Sequence, residues 1–210
     1  MTTKENAPQT NSLFPVFLKL DQLRTLIIGG GDLAYQQMVL ILKNSPDAHL
    51  MVTCENIKDN IYNLAAEYPN VRVYRKSFSE TDLDGKDLLI IATDNPGLNE
   101  KIKTKARIRK IITSVAGDLG ASDFDFGSVV KKGDLKIAIS SNGHSPSLTT
   151  RLRDYLEESF PDDIQLVLDK VRSVRDKLKG DFDNKVKMLD KLTSGWLLDK
   201  KEKEEKLHTS

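Results

Sequence analysis

The chain has 210 residues, 32 of them Lys or Arg and 31 Asp or Glu, for a formal net charge of +1, which excludes the broad basic field of a general nucleic-acid or anionic-membrane binder. A single cysteine, Cys54, excludes an internal disulfide, and no His/Cys cluster has metal-ligand spacing, so no metal site is expected. Residues 1–12 are polar without the apolar core of a secretory signal, and no apolar run approaches the ~20 residues of a membrane span, so a cytoplasmic location without membrane or nucleic-acid partners is expected by elimination.

Residues 1–12 read as a flexible N-terminus, and the alternating segment FPVFLKL (14–20) reads as a short strand. Residues 25–48 then read as strand, glycine turn, helix and loop. Leu26-Ile27-Ile28 stops at Gly29, Leu33, Val39, Leu40 and Leu42 follow at helical spacing, and Asn44-Ser45-Pro46 ends the helix. HLMVTC (49–54) predicts a second strand. A helix over 57–68 presents Ile57, Ile61, Leu64 and Ala65 on one face, and VRVYRK (71–76) predicts a third strand. DLLIIAT (87–93) is continuously apolar, as a strand covered on both faces must be. A helix over 98–108 and a fifth strand, KIITSV (110–115), complete an alternation that implies a parallel sheet with crossover helices.

The texture then changes. Residues 124–141 hold two strand-like stretches around Lys131-Lys132-Gly133-Asp134, a connection short enough only for an antiparallel hairpin. From Ser145-Pro146, an N-cap followed by proline, the chain reads as helical. Leu148, Leu152, Tyr155 and Leu156 form one stripe. Ile164, Val167, Leu168, Val171, Val174 and Leu178 form a second, and Met188, Leu189, Leu192 and Trp196 suggest a third helix before a solvated charged tail, 199–210.

GGGDLA places Gly29, Gly31 and Ala34 in a Gly-x-Gly-x-x-Ala pattern between a predicted strand and a predicted helix. Gly29 permits the tight turn, Gly31 lets backbone approach a pyrophosphate, and Ala34 lets helix and strand pack closely. The helix N-terminus, starting at Asp32 and Leu33, offers free N–H groups and partial positive charge. Glu55, 21 residues after Ala34, sits where an acidic side chain can accept hydrogen bonds from a ribose diol, with Asn56 beside it. Dinucleotide binding is the expectation. An ordinary turn, with Glu55 a surface glutamate at a strand end, is the plainer alternative.

Four segments in order, GGGDLA, ATDNPGLN (92–99), SVAGDLGASDFDFGSVV (114–130) and AISSNGHSP (138–146), resemble the precorrin-2 dehydrogenase / sirohydrochlorin ferrochelatase family of siroheme synthesis, and the likeness covers about residues 13–198. The resemblance implies an α/β architecture: a Rossmann-type NAD-binding domain (13–115), a small β-hairpin dimerisation region (116–146) and an α-helical C-terminal domain (147–198). It implies NAD as the cofactor and a homodimer. It also implies a two-step chemistry, in which NAD takes a hydride from precorrin-2 to give sirohydrochlorin and ferrous iron, a substrate, is then inserted. Thr93, Asp94 and Val115 follow or end strands on the carboxyl side, where a nicotinamide would meet its substrate. A substrate rich in carboxylates calls for cations, and Arg107, Arg109, Lys110, Lys131, Lys132, Arg151 and Arg153 lie in the relevant segments.

The sequence departs from the family at an instructive place. Where the family reads Asn-Val-x-Asp-x-Pro and uses the aspartate as its proposed base, this chain has Ser114-Val115-Ala116-Gly117-Asp118-Leu119. Gly117 takes the aspartate's position. Two readings stay open: Asp118 serves as the base, or the carboxylate is lost and the chain is an NAD- or tetrapyrrole-binding protein of reduced activity. Gln37 stands where the family often has lysine. Ser141 matches a serine that is phosphorylated in one branch of the family, and it and His144 are candidate substrate contacts, though both also suit an ordinary exposed turn.

Overall fold

The computed structural model describes residues 11–177 and 186–187. The suggested third helix around Met188 to Trp196 and the charged tail lie outside the described residues. The chain divides into two compact units, Met1–Val129 with Ala138–Arg151 and Val130–Ile137 with Leu152–Ser210.

The first unit is built on five parallel strands: β1 (Arg24–Ile28), β2 (His49–Cys54), β3 (Val71–Arg75), β4 (Leu88–Ile91) and β5 (Ile112–Val115), in spatial order β3-β2-β1-β4-β5. Helices α1 (Asp32–Asn44), α2 (Asp59–Ala66) and α3 (Pro96–Ile108) make the crossovers, joined by a short 3-10 turn, Glu80–Leu83, ahead of β4. Both faces of the sheet are covered. Ile27, Leu88 and Ile90 point into a cluster with Ala34, Met38, Ile41 and Ile61, while Leu26, Ile28, Leu89 and Ile91 point into a second with Leu83, Ile102 and Ala106. Alternate residues of one strand thus enter opposite cores, so β1 and β4 read as unbroken apolar runs. Each fully buried Leu or Ile here contributes on the order of 1.5–3 kcal/mol.

The strand order reverses between β1 and β4. Chain progress from β1 moves outward through β2 to β3, then returns to the other side, leaving a crevice past the carboxyl ends of β1 and β4.

Several expectations need correction. Residues 14–20 form no strand, and neither sheet edge takes them. Pro15 lacks the N–H that a ladder needs, Phe14 is 85% and Phe17 69% exposed, and only Leu20 reaches the core, its carbonyl accepting the His49 N–H at 3.3 Å. In α1 the buried face is Ala34, Met38, Ile41 and Leu42, while Leu33, Val39 and Leu40 are half-buried. The fifth strand begins at Ile112 rather than 110, because Lys110 adopts a positive φ of 58° just past the end of α3.

Strands β6 (Ser128–Lys132) and β7 (Leu135–Ile139) form the expected hairpin, with Gly133 at φ 55° in the turn. Helix α4 (Pro146–Ser159) starts at Ser145-Pro146, where the Leu148 N–H donates to the Ser145 hydroxyl at 3.4 Å. Its stripe of Leu148, Leu152 and Tyr155 is exposed, and Leu156 is half-buried. Helix α5 (Ile164–Lys177) buries Ile164 and half-buries Val167, Leu168 and Val171. In the second unit the side chain of Gln165 holds the hairpin turn, accepting the Asp134 N–H at 2.8 Å.

Candidate functional site

The glycine turn fills the crevice between β1 and β4. Gly29 has φ +146°, donates its N–H to Thr53 O at 3.1 Å, and lies so close to β4 that a Cβ would stand 2.1 Å from Ala92 O. Gly30, the variable position of the pattern, is no less constrained: a Cβ there would stand 2.1 Å from Asn56 O, and its carbonyl accepts the Lys58 N–H at 3.0 Å. Gly31 differs. It is the N-cap of α1, makes no side-chain cap, and a Cβ on it would meet nothing within 4 Å. Ala34, fully buried, seats the first helical turn against the sheet.

A cleft of roughly 480 Å³ opens here, lined by Gly29, Gly30, Gly31, Cys54, Asn56, Ile57, Lys58, Arg75, Ala92, Thr93 and Asp94. The uncapped first turn of α1 directs N–H donors and the positive end of the helix dipole into it. Open space before Gly31, with tight backbone behind Gly29 and Gly30, suits a pyrophosphate. On that geometry the residues fit a dinucleotide.

Of the sequence-derived cofactor residues, Gly29, Gly31, Asn56, Thr93 and Asp94 line the cleft; Asp32, Leu33, Glu55 and Val115 are not among the lining. Asp32 receives the Lys58 ammonium on both carboxylate oxygens, at 2.7 and 2.8 Å. Leu33 packs on the first core cluster and Val115 in the second. The Glu55 carboxylate accepts the Ser77 hydroxyl, and its backbone carbonyl accepts Arg75 Nε at 3.1 Å. Cys54, Lys58 and Arg75 were not singled out by the sequence pattern. Arg75 reaches the cleft through the β2–β3 register, in which it pairs with Cys54, and that long-range pairing leaves no local signature.

The loop after β4 is held in place. Thr93 Oγ1 bonds the Asn99 side chain and accepts the Asn95 N–H at 3.3 Å, while Asn95 caps α3 by accepting the Leu98 N–H at 3.0 Å. The loop after β5 turns at Gly117, with φ 84°, which places exposed Asp118 next in line. Asp118 Oδ1 accepts the Ala121 N–H at 3.0 Å and its carbonyl accepts the Ser122 hydroxyl at 2.7 Å. A Cβ at Gly143 would lie 3.1 Å from Leu119 Cδ2, so the Ser141–His144 turn sits against this same loop. There Ser141 Oγ accepts the Ser145 N–H at 3.0 Å, and His144 is exposed. Arg151, also exposed, lies in the same unit. Lys132 belongs to the second unit and binds Asp162 at 2.8 Å, an ammonium contact that holds the Asp162 carboxyl below the usual carboxylate range. Among the described residues no group of three or more His, Cys, Asp and Glu could hold a metal, and no helix is long and apolar enough to cross a membrane.

Comparison with known proteins agrees with this geometry. Residues 16–128 match a family model described as "Putative NAD(P)-binding", and residues 132–159 match one described as "Sirohaem biosynthesis protein central". The chain is 31% identical over 172 residues to a siroheme synthase of Ruthia magnifica, covering 81% of this chain and 35% of that protein. It is 33% identical over 150 residues to a siroheme synthase of Acinetobacter baylyi, covering 71% and 32%. The chain thus spans about a third of the length of the curated relatives it matches. Among solved structures, one titled "SirC, precorrin-2 dehydrogenase" superposes with a TM-score of 0.69 at 23% identity, covering 86% of this chain and 89% of that one, and so shares its fold. With the first of these family models spanning more than half of its residues, the chain belongs to the family described as "Putative NAD(P)-binding", and the sirohaem central match follows it in order.

Proposed function

We propose that the chain oxidises precorrin-2 to sirohydrochlorin with NAD as hydride acceptor, and that it also promotes insertion of ferrous iron to give siroheme. The observation that carries the reading is a glycine turn open in front of Gly31 at the switch point of a five-stranded parallel sheet, followed in the chain by the sirohaem central region. The names of the relatives and of the structural neighbour point the same way.

When bound, the oxidised nicotinamide accepts a hydride. The chain's own contribution is to bind, orient and move protons. Gly31 and the first amides of α1 would hold the pyrophosphate. Thr93 and Asp94, on the loop fixed by Asn95 and Asn99, line the same cleft and would hold the nicotinamide portion. Loss of a hydride must be matched by loss of a proton, and iron insertion requires loss of pyrrole protons. Asp118 is the base we assign to both: its Oδ1 is engaged by Ala121 N–H, and Oδ2 has no partner among the described residues. Ser141, His144 and Arg151, all in the first unit, are the assigned contacts for the substrate's carboxylates. The reading carries with it a cytoplasmic homodimer, with residues 116–146 as the dimerisation region and 147–198 as a helical domain. Gly117, at the place where the family carries its aspartate, favours a second reading: a dinucleotide- or tetrapyrrole-binding protein with reduced activity.

An anaerobic assay with precorrin-2 and NAD separates the two. Sirohydrochlorin and reduced nicotinamide forming together support the enzyme. Intact NAD binding without either product supports the binding protein.

A further inference from the structure

Strand β5 lies at one edge of the five-stranded sheet, and an edge strand leaves one side of its backbone unpaired. The Ile112 and Ala116 N–H groups are taken on the β4 side, by the Asp87 and Ile91 carbonyls at 3.3 and 2.8 Å. Thr113 and Val115 alternate with them and point their N–H groups the other way. The chain that follows β5 comes back to receive both. Asp123 accepts the Thr113 N–H on Oδ2 at 3.0 Å and donates its own N–H to the Thr113 carbonyl at 2.7 Å. Ser122 Oγ accepts the Val115 N–H at 2.9 Å. The loop between, which carries Gly117 and Asp118, is thereby closed onto the strand it leaves.

Ser122 does more than satisfy the edge, because a hydroxyl accepts and donates at once. Its one proton has two carbonyls within reach, Asp118 at 2.7 Å and Val115 at 3.3 Å, and the shorter contact is to Asp118. One half-buried oxygen thus joins an amide of β5 to the peptide that follows Asp118. The peptide before Asp118 is held separately, its N–H donating to the Val115 carbonyl at 2.9 Å. Beside it Gly117, at φ 84°, has nothing within 4 Å of the place of a Cβ, so no packing steadies the turn there. The exposed Asp118 side chain takes its direction from these two backbone anchors and from the Ala121 N–H on Oδ1 at 3.0 Å.

We propose that Ser122 is a positioning residue for proton transfer, its hydroxyl fixing the Asp118 carboxylate at the carboxyl end of β5. The proposal rests on the reading above, in which Asp118 is the base. A general base works only within hydrogen-bond reach of the proton it takes, and a small displacement of a reacting group slows a reaction steeply.

A double-mutant cycle on the full chain tests this, with anaerobic turnover of precorrin-2 and NAD and calorimetric NAD binding read on each variant. Ser122→Ala is expected to lower kcat about 10- to 100-fold and to leave the Kd for NAD within about twofold, so that retained binding also reports an intact fold. In the Asp118→Asn background the same change is expected to alter kcat by less than about twofold, because residues acting as one unit are not additive. Ser122→Cys, which keeps the shape but offers a weakly bonding thiol, takes the place of Ser122→Ala in the cycle should the alanine variant not fold. An equal slowing in both backgrounds assigns Ser122 a purely structural role and overturns the proposal, as does an unchanged kcat in the wild-type background. Asp118→Asn turning over as fast as the wild type removes the base, and this inference with it, but leaves the dehydrogenase reading standing. A wild-type chain that binds NAD without turnover overturns that reading as well.

Discussion

Replacing Gly31 by alanine separates the binding role of the glycine turn from its structural one. Gly31 has φ −97° and ψ −162°, a conformation open to alanine, and the added Cβ meets nothing within 4 Å. Two small effects on stability oppose each other. Alanine restricts the unfolded chain, a gain of about 0.4–1 kcal/mol, and it is a poorer N-cap than glycine by about 0.5–1 kcal/mol. The net change is within about 1 kcal/mol, a shift of roughly 2–4 °C in Tm for a chain of this size. The methyl group stands in the open space that the pyrophosphate would use to reach the α1 amides. Loss of one hydrogen bond to a charged group is worth about 1.5–3 kcal/mol, so the Kd for NAD rises about 10- to 100-fold. Calorimetry and a thermal melt on the same preparation measure both. An unchanged Kd with an unchanged melt would refute the placement of the pyrophosphate over Gly31.

Four further outcomes follow from the same structure. Gly29→Ala forces a Cβ to 2.1 Å from Ala92 O at a φ of +146° and costs more than about 3 kcal/mol, seen as insoluble protein or a collapsed melt. Asp82→Ala removes a buried carboxylate that accepts the Ser79 N–H at 2.9 Å and binds Lys76; the urea midpoint drops by the equivalent of about 1–3 kcal/mol with NAD affinity unchanged. The Arg24 backbone N–H, and then its guanidinium, hold the Asp87 carboxyl below the usual carboxylate range. A depressed folded-state pKa gives stability that is present above the unfolded value of about 4 and lost as pH falls through the folded one, so the stability gap between wild type and Asp87→Asn in urea melts narrows below about pH 4. Asp118→Asn, whose amide oxygen can still accept the Ala121 N–H, leaves the melt and NAD affinity in place and lowers turnover about 100-fold or more.

What the sequence disclosed was what depends on local pattern. HLMVTC is the second strand over its full length, because an alternating run bounded by turn residues admits little else. The unbroken apolar stretches at Leu26–Ile28 and Leu88–Ile91 announced strands covered on both faces. The hairpin around Gly133 and the Ser145-Pro146 helix start were equally local. Illegible features were those decided at a distance. FPVFLKL alternates like a strand, yet Pro15 interrupts its donors and the segment pairs with neither edge of the sheet. In α1, apolar residues lie on more than one face, so spacing could not tell that Met38 and Ile41 are the deeply buried ones. The tight fit of Gly30 against Asn56 and the arrival of Arg75 beside Cys54 arise from chain segments brought together by the sheet. Glu55 occupied the expected position in the sequence, but its hydrogen bond to Ser77, 22 residues on, depends on the loop after β3.

Isotope transfer tests the central claim most directly. Precorrin-2 carrying deuterium at the carbon that gives up hydride, incubated anaerobically with the chain and NAD, should yield sirohydrochlorin and reduced nicotinamide in equal amounts, with the label on the nicotinamide ring. Sirohydrochlorin without label on the nicotinamide, or no product while NAD still binds, would contradict the account of this chain as a dinucleotide-dependent dehydrogenase.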